Sequence, residues 1–179
     1  MDPVDHLLDE HREIMARLVE VRAATQELLE HGEAALERSL PVLRRFGELM
    51  ATTVELHARK EDEAFFPAVE AVLGSGFGPT ELMRSEHRTI RAQGELLQKT
   101  LAELRTIDHP ALEAKREVLR VLLEPGATHG LALPKTAREI LELLDTHFAK
   151  EEQILFPLAR QILDATAKAS VAAAFEGMH

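Results

Sequence analysis

The sequence predicts an all-α protein: an antiparallel four-helix bundle with an extra short helix or loop at 108–134. Three observations lead to this fold. Four long segments carry apolar residues at alternating spacings of three and four, Gly/Pro-rich stretches separate them, and the later pair of segments repeats residues of the earlier pair. Residues 1–164 are expected to form the helical domain as two similar hairpins, about 1–75 and 76–164. The Ala-rich tail, 165–179, is read as a short helix or a frayed end.

Asp2-Pro3 opens the first helix, with Asp as N-cap and Pro in the first turn, and Gly32 stops it. Between them Val4, Leu7, His11, Ile14, Leu18, Val21, Thr25 and Leu28 fall on one face. A second helix is expected from about Ser39–Pro41 to Leu73, with Phe46, Met50, Thr53, His57 and Glu61 inward and Pro67 bending its last turns. The stretch 74–79 then breaks the chain. The third helix, from Thr80 to about Ile107, has Met83, His87, Ile90, Gly94, Leu97, Leu101 and Leu104 inward. After a Pro/Gly-marked loop at 124–134, a fourth runs from about Lys135 to Leu163, with Ile140, Leu143, His147, Glu151, Ile154 and Leu158 inward.

Composition narrows the chemistry. The 179 residues fit one domain. With no Cys, there is no disulfide, thiolate nucleophile or Cys-ligated metal site, and no need for an oxidising compartment. A net charge of −10 disfavours nucleic acid and anionic membranes as partners. The start, Met1 to Asp5, lacks the basic and apolar features of a secretory signal, and no run of apolar residues is long enough to span a bilayer. The expected location is the cytoplasm.

Nine histidines stand out beside seven aromatic residues, all of them Phe. Glu10-His11-Arg12-x-Ile14 matches Glu86-His87-Arg88-x-Ile90. His57-x-x-x-Glu61-Asp62-x-x-x-Phe66-Pro67 matches His147-x-x-x-Glu151-Glu152-x-x-x-Phe156-Pro157. Given a His, finding Glu, Phe and Pro at those offsets by chance has odds on the order of one in several thousand. In an antiparallel bundle all four histidines would meet at one end of the interior. Glu61 and Glu151, four residues after their histidines, lie on the same helix face roughly 6 Å further along.

Two carboxylates buried among imidazoles would cost several kcal/mol per unpaired charge. A pair of cations removes that cost. Each would have two His ligands, and the two Glu would bridge them, leaving coordination positions for water, hydroxide, dioxygen or peroxide. Such nitrogen and oxygen ligation suits iron, and ligand type alone also admits manganese or zinc. The alternative is His–Glu hydrogen-bonded pairs in a purely structural bundle. Phe66-Pro67 and Phe156-Pro157 are expected to pack and to shape their helices, with either Phe as a candidate wall of the pocket. Glu10, Glu86, Asp62 and Glu152 are expected to face solvent, a role as partners of ligand N–H groups being the alternative. His6, His31, His109, His129 and His179 lack matching context and are read as surface residues.

The order His11, His57/Glu61, His87, His147/Glu151 resembles the hemerythrin family, in its HHE cation-binding branch, over about residues 1–163. The resemblance implies an up-down-up-down bundle and a non-haem di-iron site with Glu61 and Glu151 bridging, two iron ions and a bridging oxo or hydroxo group. Arg91 stands where oxygen-carrying members have another His, and His147-x-x-x-Glu151 replaces their His-x-x-x-x-Asp, so simple oxygen carriage is not the expected role. The cysteine-bearing segment of iron-cluster repair relatives is missing too, and the domain is expected to stand alone. The implied function is reaction with dioxygen or hydrogen peroxide, including catalase-like peroxide dismutation. Iron or oxygen sensing without turnover is the alternative. The lack of Tyr, Trp and Cys limits self-damage by such chemistry.

Overall fold

Asp2 begins α1, Pro3–His31, by accepting the Val4 N–H at 2.9 Å through its carboxylate. The helix ends where Gly32 takes φ 54°, a left-handed conformation that its missing Cβ permits. The computed structural model describes residues 1–74, 76, 78–105 and 132–178, and these are helical throughout apart from short connections, with no strand among them. The second helical run comprises α2, Glu33–Leu49; a π-helical turn, Met50–Val54; α3, Glu55–Lys60; a second π turn, Glu61–Phe65; and α4, Phe66–Leu73. Then come α5, Gly78–Arg105, and α6, Ala132–Lys150. A third π turn, Glu151–Leu155, leads into α7, Phe156–Ile162, and α8, Ala165–Glu176, comes last.

Two boundaries differ from expectation. The second run starts at Glu33 rather than at Ser39–Pro41, with Pro41 inside the helix. Burial of Ala35, Leu43 and Phe46 outweighs the hydrogen bond that Pro41 cannot make. The fourth run starts at Ala132, so Pro134 lies in its first turn, where a missing N–H costs little. The rest of the expected 108–134 insertion, with His109 and His129, lies outside the described residues, as does His179.

The π turns explain where the expected inward rows fail. The Phe66 N–H reaches back five residues to the Glu61 carbonyl, and the Phe156 N–H does the same to Glu151. Each of these two wide turns ends two residues before a proline, whose ring would press on the carbonyl four residues back in an ordinary helix. One extra residue in a turn rotates the downstream part of the helix by about 100°. Ile154, expected inward, is therefore 58% exposed while Leu155 is 1% exposed, and Ala159 is buried in place of Leu158. Across the Met50–Val54 turn Val54 is buried and Thr53 only half-buried. Upstream of the third π turn, the row passes through Leu144 rather than Leu143 by stepping four residues instead of three.

The chain packs as two compact units. One comprises Met1–Ala16, Thr52–Ile90 and Leu143–His179. Its apolar core contains Leu7, Phe65, Phe66, Leu155 and Phe156, and α8 adds Val171 and Phe175. Asp164 caps α8 by accepting the Ala167 N–H at 2.8 Å, so the Ala-rich tail is an ordered helix packed on this core. The other unit comprises Arg17–Ala51 and Arg91–Glu142. Leu18, Leu28, Leu43, Phe46, Leu97 and Ile140 are fully buried in it. At Gly47 an added Cβ would lie 3.1 Å from Leu101 Cδ1, so the glycine permits close helix approach there. No described helix is long and apolar enough to cross a membrane.

The π-turn register has a direct test by chemical denaturation. Leu155→Ala is expected to destabilise the protein by about 2–5 kcal/mol and Ile154→Ala by less than about 0.5 kcal/mol. The reverse ranking would mean that the helix continues α-helically past Glu151.

Candidate metal centre

His11, His57, Glu61, His87, His147 and Glu151 all belong to the first unit, and all six side chains are buried. They form two overlapping groups, His11, His57, Glu61 and Glu151, and Glu61, His87, His147 and Glu151, each with its ligating atoms within 4.8 Å of one another. Both glutamates are common to both groups. α1 contributes His11, α3 His57, α5 His87 and α6 His147, while each Glu is the first residue of a π turn.

Every imidazole is held from outside by a carboxylate on its Nδ1. Glu152 Oε1 lies 2.8 Å from His11 Nδ1, and Glu10 Oε2 lies 2.9 Å from His57 Nδ1. Asp62 Oδ1 lies 2.9 Å from His87 Nδ1, and Glu86 Oε2 lies 3.0 Å from His147 Nδ1. A carboxylate only accepts, so each Nδ1 donates and each ring turns its Nε2 inward. These four acids, expected to face solvent, are the orienting partners of the cluster, and only Glu152 among them is exposed.

The inward atoms form an arrangement that the protein alone does not satisfy. His11 Nε2 and His57 Nε2 are 3.0 Å apart, as are His87 Nε2 and His147 Nε2. Carboxylate oxygens approach these nitrogens at 3.2–3.4 Å. Both oxygens of Glu61 and both of Glu151 are buried without a hydrogen-bond partner among the described residues. Burial disfavours a proton on His57, pushing its pKa below the usual value. For His147, burial and then the charges of the other histidines and Lys150 push it down to about 2. Lone pairs facing one another beside unpaired carboxylates suit a cation in each group.

Electrostatics keep the outer acids charged and the inner ones reluctant to ionise. Burial opposes the charge on Glu10, but hydrogen bonds from His57 and Lys60 hold its carboxyl down at about 2. Burial, reinforced by the negative charges of Asp62 and Glu10, pushes Glu61 well above the carboxylate range. Burial and the charge of Glu61 push Glu151 up to about 8.

Sequence reasoning missed three supporting residues. Lys60 pairs with Glu10, and Lys150 pairs with Glu86. Both lysines directly precede a cluster glutamate, so they were visible as a further match between the repeats. Phe148 stacks on His11 at 3.9 Å between ring centres and meets His57 and His147 at 5.6 and 5.9 Å. Nothing in the repeat marks it, because Ala58 holds the equivalent place. Phe66 lies against His87 at 5.7 Å and Phe156 against His11 at 5.3 Å, so both wall the cluster. His6, expected at the surface, is half-buried, with Lys60 Nζ 2.9 Å from its Nε2 and Phe175 5.3 Å away; His31 is exposed as expected.

Helices that converge histidines and shared glutamates on a buried polar centre define a class of cation-binding helical proteins. The family description Hemerythrin HHE cation binding domain matches residues 2–129, and the chain belongs to that family. The iron-sulfur cluster repair protein YtfE of Enterobacter sp. (strain 638) is 26% identical over 161 residues, covering 87% of this chain and 64% of the relative. YtfE of Escherichia coli O81 (strain ED1a) is 24% identical over the same shares. The chain thus spans a little under two thirds of the length of these relatives. No solved structure matches it.

Removing metal by chelation exposes the inner carboxyls to titration. Between about 4.5 and about 8 the folded chain holds a proton on Glu151 that the unfolded chain has lost, and Glu61 behaves with the same sign. Such groups make stability fall as pH rises. Below 6.5 the depressed His57 and His147 act in the opposite sense, because there the unfolded chain binds the extra protons. The denaturation midpoint of metal-stripped protein is therefore expected to fall from pH 6.5 to 8 and to change less steeply below 6.5, where the two sets of groups oppose each other. A midpoint that rises between 6.5 and 8 would contradict this electrostatic account.

Proposed function

We propose that the chain binds two iron ions, one between His11 and His57 and one between His87 and His147, with Glu61 and Glu151 shared, and that it reacts with dioxygen or hydrogen peroxide. The same reading takes helices 1–164 as a hemerythrin-like up-down-up-down bundle working in the cytoplasm. What carries it is the pair of overlapping two-His, two-Glu groups whose carboxylate oxygens lack any hydrogen bond. Iron at such a centre supplies changes of oxidation state and open coordination positions, with an oxo or hydroxo group as a fitting bridge.

The chain's own residues prepare that chemistry. The four outer acids fix each imidazole with Nε2 inward and raise its basicity as a ligand. Lys60 and Lys150 keep Glu10 and Glu86 in place. Phe66, Phe148 and Phe156 lie against the imidazoles and limit water at the centre. The described residues offer a reactant no thiol, phenol or indole to oxidise, since the whole chain has none.

A second reading comes from the relatives' name, iron-sulfur cluster repair protein. Without cysteine this chain has no thiolate with which to hold a cluster, so a shared role would lie in binding, sensing or redox handling of iron. Turnover separates the two readings. Protein from iron-supplemented cells is expected to contain two iron ions per chain by elemental analysis and to show optical bands of a bridged ferric pair. It should also release oxygen from peroxide above a free-iron control, and His57→Ala should lose both iron and oxygen release. Two bound iron ions with no oxygen release would favour the iron-handling reading, and no bound metal would overturn both.

A further inference from the structure

The internal repeat makes the two halves of the cluster comparable residue by residue. Lys60 corresponds to Lys150 and Glu10 to Glu86. Each Lys donates to Oε1 of its Glu while the other oxygen holds an imidazole. These acids are equally shielded, at 19% and 18% exposure, but Lys60 is 7% exposed and Lys150 38% exposed, so this arm is the tighter one on the His57 side. Both remaining histidines also have an aromatic face, Phe66 on His87 and Phe148 on His11.

The other arm is unequal in the opposite sense, and there one side has no cation at all among the described residues. Asp62, which orients His87, is 20% exposed and is held by Arg84, whose Nη1 donates to the Asp62 carbonyl at 3.1 Å and lies 3.7 Å from its carboxylate. Arg84 is itself fixed by a two-point contact with Glu70 at 3.1 and 3.2 Å, and it lies 5.2 Å over Phe66, the ring packed on His87. In the other half Leu8 stands in the place of Arg84 and Arg160 in that of Glu70, and Arg160 pairs away with Asp5. Glu152, which orients His11, is 45% exposed and has no cation beside it among the described residues.

Net charge does not separate the halves. Glu10 and Glu152 against Lys60 leave one negative charge on one side, and Asp62, Glu86 and Glu70 against Arg84 and Lys150 leave one on the other. What differs is how firmly the ligand is held, and ligand preorganisation is where outer partners act on metal affinity.

Resting on the two-cation reading above, we propose that the two positions are unequal: His87/His147 retains its ion and His11/His57 exchanges it, because Arg84 immobilises Asp62 while Glu152 is free to leave. Arg84 is in this sense a positioning residue for one ion and not for the other.

The test loads the full chain anaerobically with ferrous iron and tracks release to an excess of a ferrous chelator by absorbance. Two phases of one ion each are expected, at least about tenfold apart in rate. Arg84→Leu, which copies the other half, should accelerate the slow phase about 10–100-fold and leave the fast phase unchanged. Arg84→Lys, which keeps the charge and is the milder replacement, should accelerate it less. Glu152→Ala should accelerate only the fast phase. Release of both ions at one rate from the unaltered chain would overturn the inequality, as would an Arg84 variant that shifts both phases alike. Loading with fewer than two ions would instead overturn the two-cation reading.

Discussion

Glu61 and Glu151 present four carboxylate oxygens to the interior of the first unit with no donor among the described residues to receive them. An ionised carboxylate in that position costs several kcal/mol, and no amount of apolar packing around it lowers the cost. The surroundings are consistent with that constraint. The imidazoles turn Nε2 toward the carboxylates, an orientation that gives each outer Nδ1–H a need for an acceptor. The outer acids fill that role, and lysines or an arginine stand beside three of the four.

The outer acids also tie the helices together. An acid on α1 holds the histidine of α3, one from the turn after α3 holds that of α5, one on α5 holds that of α6, and one from the turn after α6 returns to α1. No helix orients its own ligand. A shift of one helix along its neighbour would therefore disturb two imidazoles at once, and the precision of the centre depends on helix register within this unit rather than on any single side chain.

Much of this was legible in the amino-acid order. The matched His-x-x-x-Glu segments singled out four of the residues that the fold brings together, and the matched Glu-His-Arg-x-Ile segments the other two, because helical spacing of four is insensitive to what lies further along. The Asp2 cap and the Gly32 stop also stand where local chemistry places them. The inward row after Glu151 was not legible, since a 3.6-residue period assumes an unbroken α-helix and the π turn adds a residue. The Phe-Pro pair marks that turn in both repeats, yet a proline by itself signals only a bend. The outer acids look solvated in the sequence because acids flanking a buried row usually are, and only the neighbouring helix reveals the imidazole each one meets. Phe148 was invisible for a different reason: it has no counterpart in the repeat.

The π turns also carry a record of descent. A π turn is what remains when one residue is added to a helix whose flanking contacts are kept. One occurs at the same place in both halves, starting at the glutamate and ending just before Phe-Pro. The simplest history is a single insertion in an ancestral hairpin, then duplication of that hairpin. The turn at Met50–Val54 has no partner in α6, which is uninterrupted from Ala132 to Lys150, so there the two copies differ. On that ordering the ancestral hairpin already held half of the present cluster, and two such hairpins brought together would have completed it before the chains were fused.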